Sequence, residues 1–275
     1  MICDLYCQDA TSFLHCCPPR SAALIFADPP FNIGRPYSDW DDSMDWPSYR
    51  DFMRSWIDAA IPVLRPNGSL WLNVPDEVCR MLFASSILNP FRLVRWCIWH
   101  YRFGQHTTHN FISSKTHLLW LSNGKPPFHA TDVLEPSDRA SKYNDRRTQS
   151  KVHGEPGLRV PFDVWYGEGF SRIQGNNRER RPLHDNQLPE AILTRIIRSC
   201  TSEGDLVLDP FLGSGTTAVV AARLNRHFRG CDISPTYIES AASRVAESGV
   251  PCTLSVHSDT PSSSFTPPSD SPSPP

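Results

Sequence analysis

The sequence lacks the features that mark membrane-spanning, secreted and strongly basic proteins. It contains no run of about 18 apolar residues, so no membrane-spanning helix is expected. Residues 1–9 lack a basic segment followed by an apolar one, so no signal peptide is expected either. The formal net charge is only −2 over 275 residues. The total charge therefore indicates no polyanionic partner, and any basic surface must be local.

Cysteine and histidine are present, but not in patterns that indicate disulfides or a metal site. The nine cysteines are odd in number and none forms a C-x-x-C pair. This usage favours free thiols and a cytoplasmic location. Five histidines fall within residues 100–129, at spacings that match no zinc pattern. We therefore expect hydrogen-bonded histidines and no metal.

The stretch 205–217, DLVLDPFLGSGTT, has the pattern of a ligand-binding turn in an α/β protein. Residues 206–208 form an apolar run of the length of a buried strand, and residues 216–225 are typical of a helix. Gly213, Ser214 and Gly215 between them predict a turn that a ligand can approach closely. The turn has no lysine, so it is not a phosphate-binding P-loop. A tight turn without a ligand is the alternative.

A second unusual turn follows a continuous apolar strand at residues 22–27. The strand leads directly into Asp28, Pro29, Pro30 and Phe31. Two prolines remove two N–H donors and stiffen the backbone, so the neighbouring carbonyls and side chains point in fixed directions. The alternative interpretation is a rigid strand terminator.

The remaining periodicity predicts alternating strands and helices, and hence a parallel sheet with helical crossovers. The length suits one large domain, or one domain with an inserted lobe. Residues 65–68 are expected to end a helix, and residues 32–45 to form a polar loop that can fold over a site. The predicted strands are 2–8, 22–27, 69–74, 91–99, 116–121, 206–208 and 228–233, and the predicted helices are 11–17, 47–64, 76–88, 188–201, 216–225 and 235–248.

Two segments differ in composition from the rest of the chain. Residues 122–181 are rich in Pro, Gly, Asn and charge, and residues 136–160 carry six basic against three acidic side chains. This excess makes the segment a candidate contact for a polyanion, with a solvated loop as the alternative. From residue 258 on, thirteen of eighteen residues are Ser or Pro, which predicts a disordered tail. The basic residues are Arg139, Lys142, Arg146, Arg147, Lys151 and Arg159.

The two special turns are expected to face each other across one edge of the sheet. Asp232 follows Asp209 by 23 residues, at the end of the next predicted strand. An acid at this spacing after a glycine turn is positioned to accept hydrogen bonds from ribose hydroxyls. Because the carboxyl ends of parallel strands share one edge, the sequence predicts a nucleoside site beside the rigid acceptors of residues 28–31.

With these motifs in this order, the chain resembles the amino-methylating DNA methyltransferases of the β class, which act on adenine N6 or cytosine N4. Residues 28–31, DPPF, match the target-amine motif, and residues 209–217, DPFLGSGTT, match the S-adenosylmethionine motif. The stretches YCQDA, WDDSM, LRPNGSLWL, PFDVW and HDNQLPEAI extend the resemblance over roughly residues 1–250. One departure is Leu188 before Pro189, where many relatives carry lysine.

The resemblance implies a fold and a division of the chain. The fold is an α/β, circularly permuted, Rossmann-like methyltransferase fold with a small inserted recognition lobe, and the cofactor is S-adenosylmethionine. Residues 1–121 would form the catalytic half, 122–181 the target-recognition lobe, 182–257 the cofactor half and 258–275 the disordered tail.

The resemblance also implies roles for individual residues. Asp232 would hold the cofactor ribose, Asp9 its adenine amino group, and Gln187 would lie near its carboxylate. Asp28 and the Pro29 carbonyl would accept hydrogen bonds from the target amine. Other residues would line the methionyl side of the cofactor, complete the catalytic motif or contact DNA. They are Asp209, Pro210, Phe211, Gly213, Ser214, Gly215 and Thr216 for the cofactor, Pro30 and a base-stacking Phe31 for catalysis, and Arg139, Lys142, Arg146, Arg147 and Lys151 for DNA.

The function so implied is site-specific methylation of adenine N6 in double-stranded DNA, on a base swung out of the duplex. An aromatic residue after Asp-Pro-Pro favours adenine, and cytosine N4 stays open as a target. A non-catalytic DNA-binding module and an RNA substrate are further alternatives. A C5-cytosine enzyme would need a nucleophilic cysteine, and neither Cys17 nor Cys252 follows a predicted strand that faces the cofactor turn. A homodimer and a cognate restriction endonuclease are the other partners considered, with no membrane partner.

Overall fold

Parallel strands from both ends of the chain form the centre of one large sheet. The computed structural model describes residues 1–35, 39–101, 107–143, 145, 157–175, 177–181, 186–251 and 253–257. The strands are β1 Ile2–Cys7, β2 Ala22–Ala27, β3 Leu64–Val74, β4 Arg92–His100, β5 Lys115–Ser122, β6 Glu135–Pro136, β7 Leu158–Arg159, β8 Val164–Trp165, β9 Leu206–Asp209, β10 His227–Asp232 and β11 Thr253–His257.

The helices surround this sheet, and a short 3-10 helix and α4 lie in the middle of the chain. They are α1 Ala10–Cys16, α2 Trp46–Val63, α3 Asp76–Ala84, the 3-10 helix Ala130–Val133, α4 Asp138–Ser141, α5 Glu190–Cys200, α6 Thr216–Arg223 and α7 Pro235–Glu247. None of the helices within the described ranges is both long and apolar enough to cross a membrane.

The strand order is β11-β1-β10-β9-β2-β3-β5-β4-β8. All neighbouring strands from β11 to β3 pair in parallel, and β5 runs antiparallel to both β3 and β4. The N-terminal strand β1 therefore lies between β10 and β11, which are the last strands in sequence. This arrangement brings the ends of β9 and β2 together, although about 180 residues separate them.

Apolar side chains cover both faces of the sheet, as expected for strands buried on two sides. Helices α1, α2 and α3 pack on one face. Each contributes a fully buried side chain to the core there, namely Phe13, Trp56 and Leu82. Helices α5, α6 and α7 pack on the other face, where Ile196 and Val219 are buried. The site edge is thus held between two helical layers.

The predicted α/β sheet is confirmed, and three local predictions are wrong. The first half of the chain is not a uniform series of parallel crossovers, because β4 and β5 form an antiparallel pair. The strand predicted at 69–74 begins at Leu64, so residues 65–68, which follow the end of α2 as predicted, also belong to β3, and Asn67 adopts a left-handed conformation there (φ +64°). Helix α3 ends at Ala84, four residues early, and Ser86 adopts a left-handed conformation (φ +58°) just beyond it.

The two edge strands of the large sheet were not predicted from the sequence. Strand β11 pairs with β1 at one edge, and β8 pairs with β4 at the other. Strand β8 belongs to the middle segment, and its Trp165 is buried in the main core. Ser234 occupies the N-cap position of α7, but its side chain makes no capping hydrogen bond.

Gly215 should be the least replaceable glycine of the turn before α6. Its φ is +75°, and a Cβ there would lie 2.7 Å from the Ala241 Cβ on α7. Gly215→Ala is therefore expected to lower the free energy of unfolding by about 2–4 kcal/mol, combining left-handed strain with overpacking. Urea denaturation measures the change.

Gly204→Ala is the matched control, because Gly204 has a similar φ of +80° but a Cβ at that position would meet no atom within 4 Å. It should cost only the backbone strain, about 1–2 kcal/mol. Equal losses at both positions would show that contact with α7 is not what restricts Gly215.

Candidate active site

A cavity of about 470 Å³ opens at the carboxyl edge of the sheet, between the ends of the central strands. All the predicted catalytic and cofactor residues line it except Gly215, which instead packs against α7. The structure therefore brings the two predicted turns into one cavity. The lining residues among those predicted are Asp9, Asp28, Pro29, Pro30, Phe31, Gln187, Asp209, Pro210, Phe211, Gly213, Ser214, Thr216 and Asp232.

Asp209 organises the turn that follows β9. Its carboxylate accepts a hydrogen bond from the Phe211 backbone N–H at 2.9 Å and another from the Thr217 hydroxyl at 2.6 Å. The side chain is only 2% exposed. Burial raises the pKa of Asp209 to about 7, despite both hydrogen bonds. The sequence identified this acid but not Thr217, which is the second residue of α6.

Asp232 joins the glycine turn to the end of β10. One carboxylate oxygen accepts from the Gly213 backbone N–H at 2.9 Å and the other from the Ser234 N–H at 3.0 Å. Burial raises the pKa of Asp232. Each oxygen has a further lone pair, so the carboxylate can still accept a ribose hydroxyl from the cavity.

Unpaired polar atoms lie at the end of the cavity where the sequence predicts a nucleoside. Asp9 caps α1 through the Ser12 backbone N–H at 2.9 Å. Burial opposes its ionisation, but the hydrogen bonds from Ser12 prevail and lower the pKa of Asp9. Within the described ranges, the buried Gln8 Oε1 and Ser234 Oγ have no hydrogen-bond partner. Both residues line the cavity, so this end fits a ligand as polar as an adenosyl group.

Gln187 lines the cavity, but protein backbone occupies both ends of its amide. The Oε1 atom accepts from the Arg181 N–H at 3.0 Å, and Nε2 donates to the Glu179 carbonyl at 2.5 Å. The residue is 4% exposed. These bonds tie the segment before α5 to residues 179–181, so Gln187 shapes the wall of the cavity. Its predicted contact with the cofactor carboxylate stays a prediction.

Asp28 follows the end of β2 and borders the cavity. Asn73, near the end of β3, donates from Nδ2 to the Asp28 carboxylate at 2.9 Å. Burial, followed by the charge of Asp209, raises the pKa of Asp28 to about 7, against the opposing effects of Asn73 and Arg172. Asp28 is thus a carboxyl group that exchanges a proton near neutral pH. Sequence analysis missed Asn73, whose pairing with Asp28 depends on strand register.

Two further residues fix the turn at residues 28–31. The hydroxyl of the fully buried Tyr49 on α2 donates to the Pro30 carbonyl at 2.7 Å. Asp42, 2% exposed, accepts three backbone N–H bonds from Asn32, Ile33 and Arg35 at 2.8–3.1 Å. The predicted polar loop is therefore pinned beside the cavity. Neither anchor was identified from the sequence.

Acidic partners accompany the described basic residues of the middle segment. Arg139 pairs with Asp145 at 2.9 Å, and Lys142 with Asp138 at 3.1 Å. The side chains of Arg139 and Lys142 are largely exposed, so each pair contributes little energy and each cation can exchange its partner for another anion. Arg159 pairs with Glu135. Arg146, Arg147 and Lys151 lie outside the described residues, so the predicted DNA contact surface stays a prediction.

The described thiols are unlike catalytic nucleophiles. The eight cysteines of the described ranges are free. Burial raises the pKa of Cys17 to about 12, whereas an activated thiol has a lowered pKa. Cys252 lies outside the described residues. Within those ranges, no group of three His, Cys, Asp or Glu side chains is arranged to hold a metal.

Comparison with known proteins identifies the family of this site. A family model described as a DNA methylase, of the N6/N4 group, matches residues 22–243. The chain belongs to this family. The type II methyltransferase M.HpaI of Haemophilus parainfluenzae is 32% identical over 244 residues, which cover 88% of this chain and 73% of that protein. The protein is therefore a type II DNA methyltransferase of the amino-methylating class.

Solved structures share the fold of this methyltransferase. The cytosine-N4-specific PvuII DNA methyltransferase superposes with a TM-score of 0.67 at 18% identity, covering 91% of this chain and 94% of that one. The complex of M1.HpyAVI with S-adenosylmethionine superposes with a TM-score of 0.60 at 19% identity, covering 89% and 99%. The predicted fold and cofactor are confirmed, and S-adenosylmethionine is the methyl donor of the family.

Replacing Asp28 by asparagine should stabilise this methyltransferase at alkaline pH. Because the folded-state pKa of Asp28 is raised from 3.8 to about 7, the ionised form carries a cost that is absent below about pH 4, grows between pH 4 and pH 7 and is fully present above about pH 7. An asparagine side chain would not ionise and could still accept from Asn73. We expect Asp28→Asn to raise unfolding free energy by about 1–4 kcal/mol at pH 8.

Urea denaturation at pH 4 and pH 8 measures this gain, which should be smaller at pH 4. Asp58→Asn, at an exposed position on α2, is the matched control and should change little at either pH. A gain for Asp28→Asn that is the same at both values would contradict the assigned cause.

Proposed function

We propose that this methyltransferase transfers the methyl group of S-adenosylmethionine to the N6 amine of adenine, on a base swung out of duplex DNA. The observation that carries this proposal is the shared cavity. The Asp28 carboxyl group and the turn after β9 border the same space at adjacent strand ends. The aromatic Phe31 after Asp-Pro-Pro favours adenine over cytosine.

The target amine is a poor nucleophile, because its lone pair is delocalised into the base. Asp28 and the Pro29 carbonyl would accept its two hydrogens, which favours a pyramidal nitrogen with its lone pair directed at the cofactor. Phe31 would stack on the base and fix its plane. These residues therefore act by positioning and by electrostatic stabilisation, without a covalent enzyme intermediate.

S-adenosylmethionine supplies an electrophilic methyl group on a sulfonium sulfur. The target nitrogen would take this methyl group from the sulfonium sulfur and then lose one proton. Asp28 can receive that proton, since burial raises its pKa to about 7 and brings it close to the working pH.

We propose the remaining cofactor contacts from the polar groups that border the nucleoside end. Asp232 would accept from the ribose and Asp9 from the adenine amine, with the methionyl part along the turn after β9. The seven turn residues predicted from the sequence would form the binding site of this methionyl part. Asp209 and Gly215 would shape the turn, and the others would line the cavity.

Residues 122–181 are proposed as the target-recognition lobe, inserted between a catalytic half at 1–121 and a cofactor half at 182–257. The lobe would contact phosphates through Arg139, Lys142, Arg146, Arg147 and Lys151, exchanging the surface ion pairs of the first two. A short recognition site, a homodimer and a cognate restriction endonuclease are parts of the same proposal.

Methyl transfer from labelled S-adenosylmethionine to mixed duplex DNA tests the proposed reaction. We expect N6-methyladenine as the product, and Asp28→Ala to lower the rate by about 10²–10³-fold because a transition-state acceptor is lost. Asp58→Ala, on the exposed face of α2, is the matched control and should remain active.

N4-methylcytosine as the sole product would reassign the target base. No transfer on any duplex would instead favour a non-catalytic DNA-binding module, and preference for single-stranded RNA would reassign the substrate.

Neutralising Arg146 and Arg147 together should weaken DNA binding and leave cofactor affinity unchanged. Two lost phosphate contacts should reduce the slope of log K against log salt by about 2. Binding titrations at several salt concentrations measure this slope, with Arg50→Ala as control because Arg50 pairs with its neighbour Asp51 on α2. Equal loss of DNA and cofactor affinity would show that the arginine pair is structural.

A further inference from the structure

A row of polar side chains extends from Asp28 across the same edge of the sheet. The register of β2 and β3 aligns Ala27 with Leu72, so Asp28 and Asn73 follow side by side. Asn73 lies opposite Leu118 of β5. Thr116 is two residues before Leu118, and side chains two residues apart share a face of a strand. Asp28, Asn73 and Thr116 therefore lie in sequence along one face, and all three line the cavity.

The side-chain amide of Asn73 has one hydrogen-bonded atom and one unpaired atom. It is 1% exposed, and its Nδ2 donates to Asp28. Its Oδ1 is also buried and has no hydrogen-bond partner within the described ranges. A buried acceptor without a partner costs free energy, and native proteins rarely retain one without a reason. The unpaired oxygen belongs to a residue that borders the cavity, where a ligand can supply the missing donor.

Thr116 presents a second unpaired atom nearby. It is 5% exposed, and its hydroxyl has no partner among the described residues. Thr116 lies opposite Trp99 of β4, which also lines the cavity. Asn73 and Thr116 occupy diagonal positions of paired strands, which typically lie about 7–8 Å apart, so one ligand in the cavity can contact both. Two unpaired polar groups on one face indicate a polar, planar ligand.

Building on the proposed function, we propose that Asn73 is a positioning residue that directs Asp28 at the target amine, and that its carbonyl oxygen and the Thr116 hydroxyl form a subsite for the edge of the flipped base. The Asn73 oxygen can only accept, so it matches the amino hydrogen directed at Asp28, which the two acceptors would share in a three-centre hydrogen bond. The Thr116 hydroxyl can donate, so it matches a ring nitrogen beside that amine. Asn73 would thereby hold the amine and Asp28 in one plane.

The position of Asn73 also affects the charge of Asp28. The groups that face the Asp28 carboxyl are Asn73 from β3, Asp209 from β9 and Arg172 from the segment before α5. Asp209 opposes ionisation, whereas the Asn73 amide and the Arg172 guanidinium favour it. Removing the Asn73 amide therefore leaves Asp28 harder to ionise, and the loss of acceptor strength should be largest at low pH.

The test compares Asn73→Ala and Thr116→Val with the unmutated enzyme. For Asn73→Ala, we expect kcat to fall on the order of 10-fold or more at pH 7 and to recover partly at pH 9, with the acid limb of the profile about one unit higher. Asn73→Ser serves if the alanine variant does not fold, with retained S-adenosylmethionine affinity as the check of folding. Asn123→Ala, exposed beyond the far end of β5, should behave as the unmutated enzyme.

For Thr116→Val, binding of duplexes with 2-aminopurine at the target position reports on the base without requiring turnover. We expect affinity for the flipped state to fall on the order of 10-fold, with an unchanged pH profile and unchanged cofactor affinity. If Thr116 has only a structural role, Thr116→Val should leave base binding unchanged, because the substitution merely replaces an unpaired hydroxyl with a methyl group.

The two proposals fail in different ways. Absence of methylated base with the unmutated enzyme overturns the proposed function, while base binding still tests the subsite. The present inference alone is overturned if the enzyme is active, Asn73→Ala leaves its pH profile unchanged and Thr116→Val leaves base binding unchanged.

Discussion

The buried carboxylate of Asp209 is the group on which both halves of the site depend. It accepts hydrogen bonds from the Phe211 N–H and the Thr217 hydroxyl, which fix the turn after β9 that is proposed to border the cofactor. Its charge also reaches across the adjacent strands and makes Asp28 harder to ionise. One acid thus shapes the cofactor turn and adjusts the acid proposed to act on the target amine.

This coupling exists because the sheet joins segments that are distant in sequence. Strands β9 and β2 are neighbours, with Val207 beside Leu24. Strand β1 adds Asp9 on the far side of β10, so three chain segments meet at one edge. Since every strand from β11 to β3 runs in the same direction, all their carboxyl ends lie at the edge where the cavity opens. The permuted chain order changes the connections between strands and leaves this edge intact.

The sequence predicted the parts of the site that are encoded locally. Asp28 and Gly213 were found because prolines and glycines restrict the backbone whatever surrounds them. Asn73 and Thr116 were missed because their position beside Asp28 depends on strand register, which adjacent residues do not reveal. Tyr49 was missed for a similar reason, since a tyrosine on an apolar helix face has no visible partner until the helix packs. Gln187 lines the cavity, but its hydrogen bonds to residues 179–181 could not be predicted because they depend on tertiary packing.

The concentration of acids at this edge is costly for folding, and its location explains why it is retained. Burial raises the pKa of both Asp28 and Asp209 to about 7, and raises that of Asp232 as well. A structure selected for stability alone would place apolar side chains or paired charges there. Instead, Asn73 Oδ1 and Thr116 Oγ1 also lack partners within the described ranges. A polar base and a charged cofactor would supply the missing hydrogen-bond partners, but only when they are bound. Binding of these two ligands would therefore explain both the unpaired polar atoms and the poorly ionised acids on this edge.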